Sequence, residues 1–164
     1  MVGELVRERA EPDRTGAPES LADLFREQYG KVVRLAYLLT GSEAVAEDLV
    51  QDCFVRLHAH WSKVEQPMAY LRASVVNACR AHHRRSRRER AHFPDLVVEA
   101  VSPETPMILD ALAALPYKQR AALVLRFYED RPEREIPEAL NCRPATVRSL
   151  VHRGLASLGK VIER

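Results

Sequence analysis

From Leu21 onward the apolar positions fall at helical spacing: Leu21, Leu24, Phe25, Tyr29, Val32 and Ala36 share one side of a 3.6-residue repeat. Thr40-Gly41-Ser42 interrupts that repeat, and Ser42 is suited to cap the next helix, whose inward positions are Val45, Leu49, Cys53 and Leu57. A short loop from Trp61 to Gln66 follows. Pro67 suits the first turn of a third helix, with Leu71, Val75 and Ala78 facing inward. Three such helices can close a small bundle. A second helical set begins near Pro106, with Met107, Ile108, Leu112 and Leu115 as its first stripe. Residues 115 to 158 then hold three apolar-periodic segments, the last two joined at Asn141-Cys142-Arg143. No strand-like alternation and no internal repeat stand out. The pattern predicts an all-α chain of two small helical domains.

Composition sets the boundaries between them. Residues 1 to 19 alternate charges with Pro12, Gly16 and Pro18 and lack an apolar stripe, which predicts a disordered tail. Residues 93 to 106 (FPDLVVEAVSPETP) carry three prolines, three acids and no lysine or arginine, the composition of a linker. The expected organisation is therefore a tail at 1–19, a first domain at 20–92, a flexible linker at 93–105 and a second domain at 106–164.

The last helix adds chemistry. Pro144 opens it, and its apolar side is Val147, Leu150, Val151, Leu155 and Leu158. Its other side shows Thr146, Arg148, Ser149, His152 and Arg153. That is the layout of a helix-turn-helix, in which one helix packs the second into the DNA major groove. A helical hairpin with one solvated basic face fits the same pattern. The 164-residue chain has a net charge of only +2, yet its charge is unevenly placed. Residues 43 to 52 (EAVAEDLVQD) hold four acids and no base, whereas 80 to 90 (RAHHRRSRRER) hold six arginines and one acid. Two partners are implied, one basic and one a polyanion. Cys53, Cys79 and Cys142 form no CxxC pair, cannot all be bridged and fit a reducing cytosol, so a cytoplasmic protein is expected. The charged amino terminus offers no signal peptide, and the longest apolar run, Val32 to Leu39, is too short and too broken for a membrane span.

Taken together, two segments carry a family resemblance. LFREQYGKVVRLAYLLTGSEAVAEDLVQDCFVRLHAHW, followed by PMAYLRASVVNACRAHHRR, forms the first; LPYKQRAALVLRFYED, followed by EIPEALNCRPATVRSLVHRGLASL, forms the second. In this order and spacing they resemble bacterial RNA polymerase sigma factors of the extracytoplasmic-function group, the small type that keeps only sigma domains 2 and 4. Within that group they resemble the actinobacterial SigE-like members. The resemblance implies a sigma domain 2 bundle, a sigma domain 4 helix-turn-helix, and recognition of the −10 and −35 promoter elements. It implies core RNA polymerase, through its beta-prime clamp and beta flap, and promoter DNA as partners. It leaves room for an anti-sigma protein, and calls for no cofactor, metal or membrane.

Roles follow residue by residue. Asp48, Gln51 and Asp52, with Glu47 and Phe54 as weaker candidates, would dock on the polymerase clamp, although acids near a helix start are also favoured by the macrodipole. Opening the −10 element unstacks bases at a cost of a few kcal/mol, and stacking a base on an aromatic ring returns about 1–3 kcal/mol. Asn77 could pair with a base edge there, while Arg72, Arg80, Arg84 and Arg85 hold phosphates. Trp61 is a further −10 candidate; like Tyr70 it also reads as a core aromatic, the commoner role. Arg143, Thr146, Arg148, Ser149, His152 and Arg153 would meet the −35 element, with Arg148 the choice for a guanine edge. Lys118, Gln119 and Arg120 are candidate phosphate contacts. Pro137 departs from the family pattern. If the first helix of the motif begins near Glu133, an interior proline there predicts a kink costing about 3 kcal/mol. Asn141 stands where glycine is common and tolerates the left-handed conformation.

Two other readings compete. A stand-alone helix-turn-helix regulator with a sensing or dimerising amino-terminal half explains residues 115 to 158 but not the acidic helix. A metal or redox centre on Cys79, His82 and His83, with His58 or His60, lacks a second ligand pair at zinc spacing. Catalysis finds no nucleophile–base arrangement and no phosphate-cradling glycine loop.

Overall fold

The computed structural model describes residues 20–92 and 107–163; the expected tail at 1–19 and linker at 93–105 lie outside them. Ser20 accepts a hydrogen bond from the Asp23 N–H and starts α1 (Leu21–Thr40). Gly41, at φ 76°, ends that helix by donating its N–H to the Tyr37 carbonyl, a left-handed cap that glycine adopts without a Cβ penalty. Ser42 caps α2 (Glu43–His60), accepting from the Val45 N–H as the sequence predicts. A 3₁₀ turn at Trp61–Lys63 leads to α3 (Pro67–His92), whose first-turn proline costs no internal hydrogen bond. These three helices pack on one another around Leu24, Leu35, Leu39, Val50, Cys53, Leu57, Leu71, Val75 and Val76.

The inward faces differ from the periodic expectation in detail. Phe25 is exposed and Tyr29 half-buried, while Leu35 and Leu39 carry the core side of α1. On α2 the buried positions are Ala46, Val50, Cys53, Phe54 and Leu57; Val45 and Leu49 sit at the margin. Cys53 and Leu57 are buried as expected, so the difference lies in the first turns, where Ala46 and Val50 take the inward places. Ala78 is only half-buried, and Val76 and Cys79 fill the space assigned to it.

The carboxyl-terminal lobe comprises α4 (Met107–Ala113), α5 (Tyr117–Leu123), α6 (Ile136–Leu140) and α7 (Pro144–Ile162). Leu109, Ala111 and Leu112, not Met107 and Ile108, form the buried side of α4. α5 runs on into one π-helical turn, Val124–Tyr128, which buries Leu125 and leaves Phe127 outside under the Arg126 guanidinium at 5.6 Å. Asp130, at φ 50°, turns the chain away. Among the described residues there is no strand.

α6 corrects the expected kink. The helix begins at Ile136, so Pro137 lies in its first turn, where its missing N–H would have no intrahelical acceptor. Asn141 takes the left-handed conformation, at φ 48°, and Cys142 donates its N–H to the Pro137 carbonyl, closing the turn of the motif.

The two lobes pack against each other. α3 lies along α6, and α1 meets α4, α5 and the π turn. Arg120, 5% exposed, donates to the Leu39 carbonyl at 2.7 Å and to Ala113 and Leu115 at 3.0 and 3.2 Å. One guanidinium thus serves the carboxyl ends of α1 and α4 together. Its burial corrects its reading as a phosphate contact. Among the described residues, no helix is long and apolar enough to cross a membrane.

Candidate nucleic-acid and polymerase interface

On α2, Glu47, Asp48, Gln51 and Asp52 are all exposed, spaced so that they share one solvent-facing surface. Phe54 does not join them. It is 5% exposed and turned under Phe25, ring centroids 5.0 Å apart, so it is a core residue and not a docking side chain. Phe25 stacks in turn on Tyr29 at 4.7 Å, and the Gln51 amide donates to the Tyr29 hydroxyl at 3.4 Å. Phe25, which the periodic reading of α1 assigned to the core, is 42% exposed beside this surface, and Val55, on the helix that carries the acids, is 67% exposed. The signal for Phe25 was present: two aromatics one turn apart facing an acidic helix.

The basic element is α3. Leu71, Val75, Val76 and Cys79 anchor it, and its carboxyl-terminal turns run past the bundle with Arg84, Arg85, Arg87, Arg88 and Arg90 exposed. Asn77 is exposed as well, and Arg80 half-buried. Arg72 lies elsewhere: its Nε is 3.2 Å from Glu129 of the other lobe, with the two side chains only 15% and 14% exposed. Trp61, given as a −10 candidate, and Tyr70 are both partly buried against the core, the alternative weighed for each. The His83 ring lies tilted against the Tyr117 ring, centroids 5.5 Å apart. Burial, then the nearby charges of Arg120, Arg87, Arg90 and His82, push its pKa down. Burial and the Arg85 charge lower that of His82 as well, against an opposing pull from Glu89. Burial pushes the Cys53 and Cys79 thiols up to about 11 and about 12, which keeps both protonated. Among the described residues, no three His, Cys, Asp or Glu side chains are grouped to hold a metal.

The helix-turn-helix presents the third surface. Val147, Leu150 and Val151 seat α7 on the lobe, and Gly154 permits close approach to α5. A Cβ there would meet Leu123 Cγ and Cδ1 at 3.0 Å. Leu155, predicted inward, is exposed instead. Arg143 is the residue before the helix, and Arg148, Ser149, His152 and Arg153 are exposed along it, with Thr146 half-buried. Arg148 is 3.7 Å from Glu133, but a pair this exposed contributes little and leaves the guanidinium free to move. Lys118 and Gln119 are half-buried, the Gln119 carbonyl oxygen having no hydrogen-bond partner.

Known proteins resemble the chain in sequence and in fold. Residues 24–89 match the family described as Sigma-70 region 2, and residues 106–158 that described as Sigma-70, region 4. The RNA polymerase sigma-E factor of Streptomyces coelicolor is 30% identical, over 81% of this chain and 80% of that protein. The ECF RNA polymerase sigma factor SigW of Bacillus subtilis is 23% identical over 95% and 96% of the two chains. Among solved structures, the sigma factor RpoE of Bartonella quintana, crystallised with the anti-sigma factor NepR, superposes with a TM-score of 0.72 at 21% identity. That match covers 86% of this chain and 97% of the other.

Proposed function

The chain belongs to the sigma-70 family of bacterial RNA polymerase sigma factors, in its extracytoplasmic-function group, and from that membership we infer that it binds core polymerase and directs promoter-specific transcription initiation. The observation that carries this reading is the separation of three exposed surfaces with different chemistry. An acidic one with an apolar margin lies on α2, a basic one on α3, and a cationic, hydrogen-bonding one on α7. A stand-alone regulator would need the third and leaves the first without a role.

In this reading Glu47, Asp48, Gln51 and Asp52 face basic side chains of the polymerase clamp, while Phe25 and Val55 supply the apolar part of the contact. Asn77 reads an unstacked base of the −10 element, with Arg80, Arg84 and Arg85 on flanking phosphates. Arg143, Thr146, Arg148, Ser149, His152 and Arg153 contact the −35 duplex, Arg148 at a base edge. The beta flap would be met by the carboxyl-terminal lobe. The lobes correspond to 20–92 and 106–164, joined through 93–105. The protein contributes no reaction chemistry of its own and works in the cytoplasm beside the polymerase. The likeness to a sigma factor solved with its anti-sigma partner supports an anti-sigma protein as a further ligand.

Transcription of genomic fragments by core polymerase, with and without the chain, tests the function. New defined start sites are expected only in its presence. Asp48→Lys with Asp52→Lys should weaken core binding by several kcal/mol, the cost of reversing charges at a docked pair. Unchanged core affinity in that variant would remove the acidic surface from the contact.

A further inference from the structure

We propose that Glu133 sets the base specificity of the helix-turn-helix by holding Arg148, so that its guanidinium can meet a guanine edge but cannot swing away to a phosphate. The proposal rests on the reading that α7 enters the −35 duplex, and it adds a positioning residue from outside the two helices of the motif. Glu133 Oε2 lies 3.7 Å from Arg148 Nε. The carboxylate therefore stands on the Nε side of the fork, and the two Nη groups remain for the O6 and N7 acceptors of a guanine.

Both partners sit on well-anchored backbone. Because α6 begins at Ile136, Glu133 belongs to the turn before it and not to the helix. That turn is pinned at each end: the Arg131 N–H donates to the Leu125 carbonyl and the Glu135 N–H to the Pro132 carbonyl, both at 2.9 Å. Buried Ile136 anchors the chain beyond it, and buried Val147 and Leu150 seat the turns of α7 that carry Arg148. In the free chain the pair is loose, since both side chains are open to water. In a groove that excludes water the same attraction grows, because it varies inversely with the dielectric constant. An unheld arginine has many rotamers, and at a site without guanine it can recover binding on a neighbouring phosphate. Held at Nε it loses that alternative, and the wrong base leaves its Nη donors unpaired. A carboxylate among DNA-reading side chains gives up affinity by repelling phosphates; what it supplies is discrimination.

The test uses the full-length chain with core polymerase, on a start site found with genomic fragments and randomised across its −35 element. Bound DNA is sequenced. Arg148→Ala marks the position at which Arg148 acts, by loss of a guanine preference there. Glu133→Ala should lower the guanine preference at that same position by about three- to tenfold, within what a bidentate arginine–guanine pair supplies. The loss should come from tighter binding to sites without that guanine, with preferences elsewhere unchanged. Glu133→Gln, whose amide oxygen still accepts from Nε, should keep more of the preference. Adding Glu133→Ala to Arg148→Ala should change nothing further. Each preference is a ratio within one sample, so partial misfolding of a variant does not alter it. An unchanged preference in Glu133→Ala overturns the proposal. So does an equal gain on every sequence, which would make Glu133 a competitor for the cation, or a loss at another position, which would make it a base contact itself. Arg148→Ala without a positional loss overturns it as well. If the wild type directs no start site, the sigma-factor reading falls; if it does, these outcomes sink the Glu133 assignment alone.

Discussion

Arg120→Met is the sharpest test of how the lobes hold together. The change keeps length and apolar bulk while removing the donors to Leu39, Ala113 and Leu115. Hydrogen bonds from a charged group contribute about 1.5–3 kcal/mol each, so the gross loss over three is roughly 4.5–9 kcal/mol. Against this stands the desolvation of the guanidinium, which amounts to several kcal/mol for a buried ion. Burial does act on this group: it lowers the Arg120 pKa, and Nε is buried without a partner. The Leu39 and Leu115 carbonyls are left buried and unpaired, while Ala113, at an exposed residue, can turn to water. The balance is a net destabilisation of about 2–4 kcal/mol, a large part of a typical margin of about 5–15 kcal/mol. Urea unfolding followed by circular dichroism reads it directly, and Tm should fall by about 4–16 °C for a chain of this size. A change smaller than about 1 kcal/mol would mean that the arginine's desolvation cancels its bonds, leaving it no net role in holding the lobes together.

Pro137→Ala should lower stability by about 0.4–1 kcal/mol, since a first-turn proline restricts the unfolded chain and gives up no helix bond; a gain of about 1 kcal/mol or more would restore the kinked-helix reading. For His82 and His83 the folded pKa values are lowered, so their contribution is full above the unfolded value of about 6.5 and is lost as pH falls through the folded values. Urea midpoints of the wild type should therefore drop between about pH 7 and about pH 5 more steeply than those of His82→Gln with His83→Gln, and parallel curves would count against this. Asn77→Ala should impair open-complex formation without affecting an isolated −35 duplex, whereas Arg148→Ala should cost about 1–3 kcal/mol on that duplex. Equal effects of both changes in both assays would argue against two separate reading surfaces.

Much of the local structure was legible because its causes are local. Ser42, Gly41 and Asn141 act through their own backbone or the next turn, so a cap or a left-handed residue can be read from its neighbours. The exposed polar side of α7 follows from a 3.6-residue period with Gly154 on the buried side. Periodicity placed the rotation of α1 and α2 less well. Ala46 carries almost no hydrophobic signal, yet is fully buried, while Phe25 carries a strong one and remains at the surface. Pro137 was misplaced by three residues of helix start, since the turn at Glu133–Glu135 has helix-forming composition and is not part of the helix.

The roles of the cations were the least legible part, and for a physical reason. An arginine's charge is visible in the sequence, but its partner is fixed by tertiary packing. Arg72, Arg120 and Arg148 all read as nucleic-acid contacts. Arg148 stays exposed, with only a loose neighbour at Glu133. Arg72 is taken by a carboxylate 57 residues along the chain, and Arg120 by a helix end 81 residues back. No local pattern encodes either separation. The same long-range contact removes Arg72 from the surface that the sequence assigned to DNA. A guanidinium can serve DNA only through the N–H groups that the fold leaves unpaired at the moment of binding, and at Arg72 the chain itself supplies the competing anion.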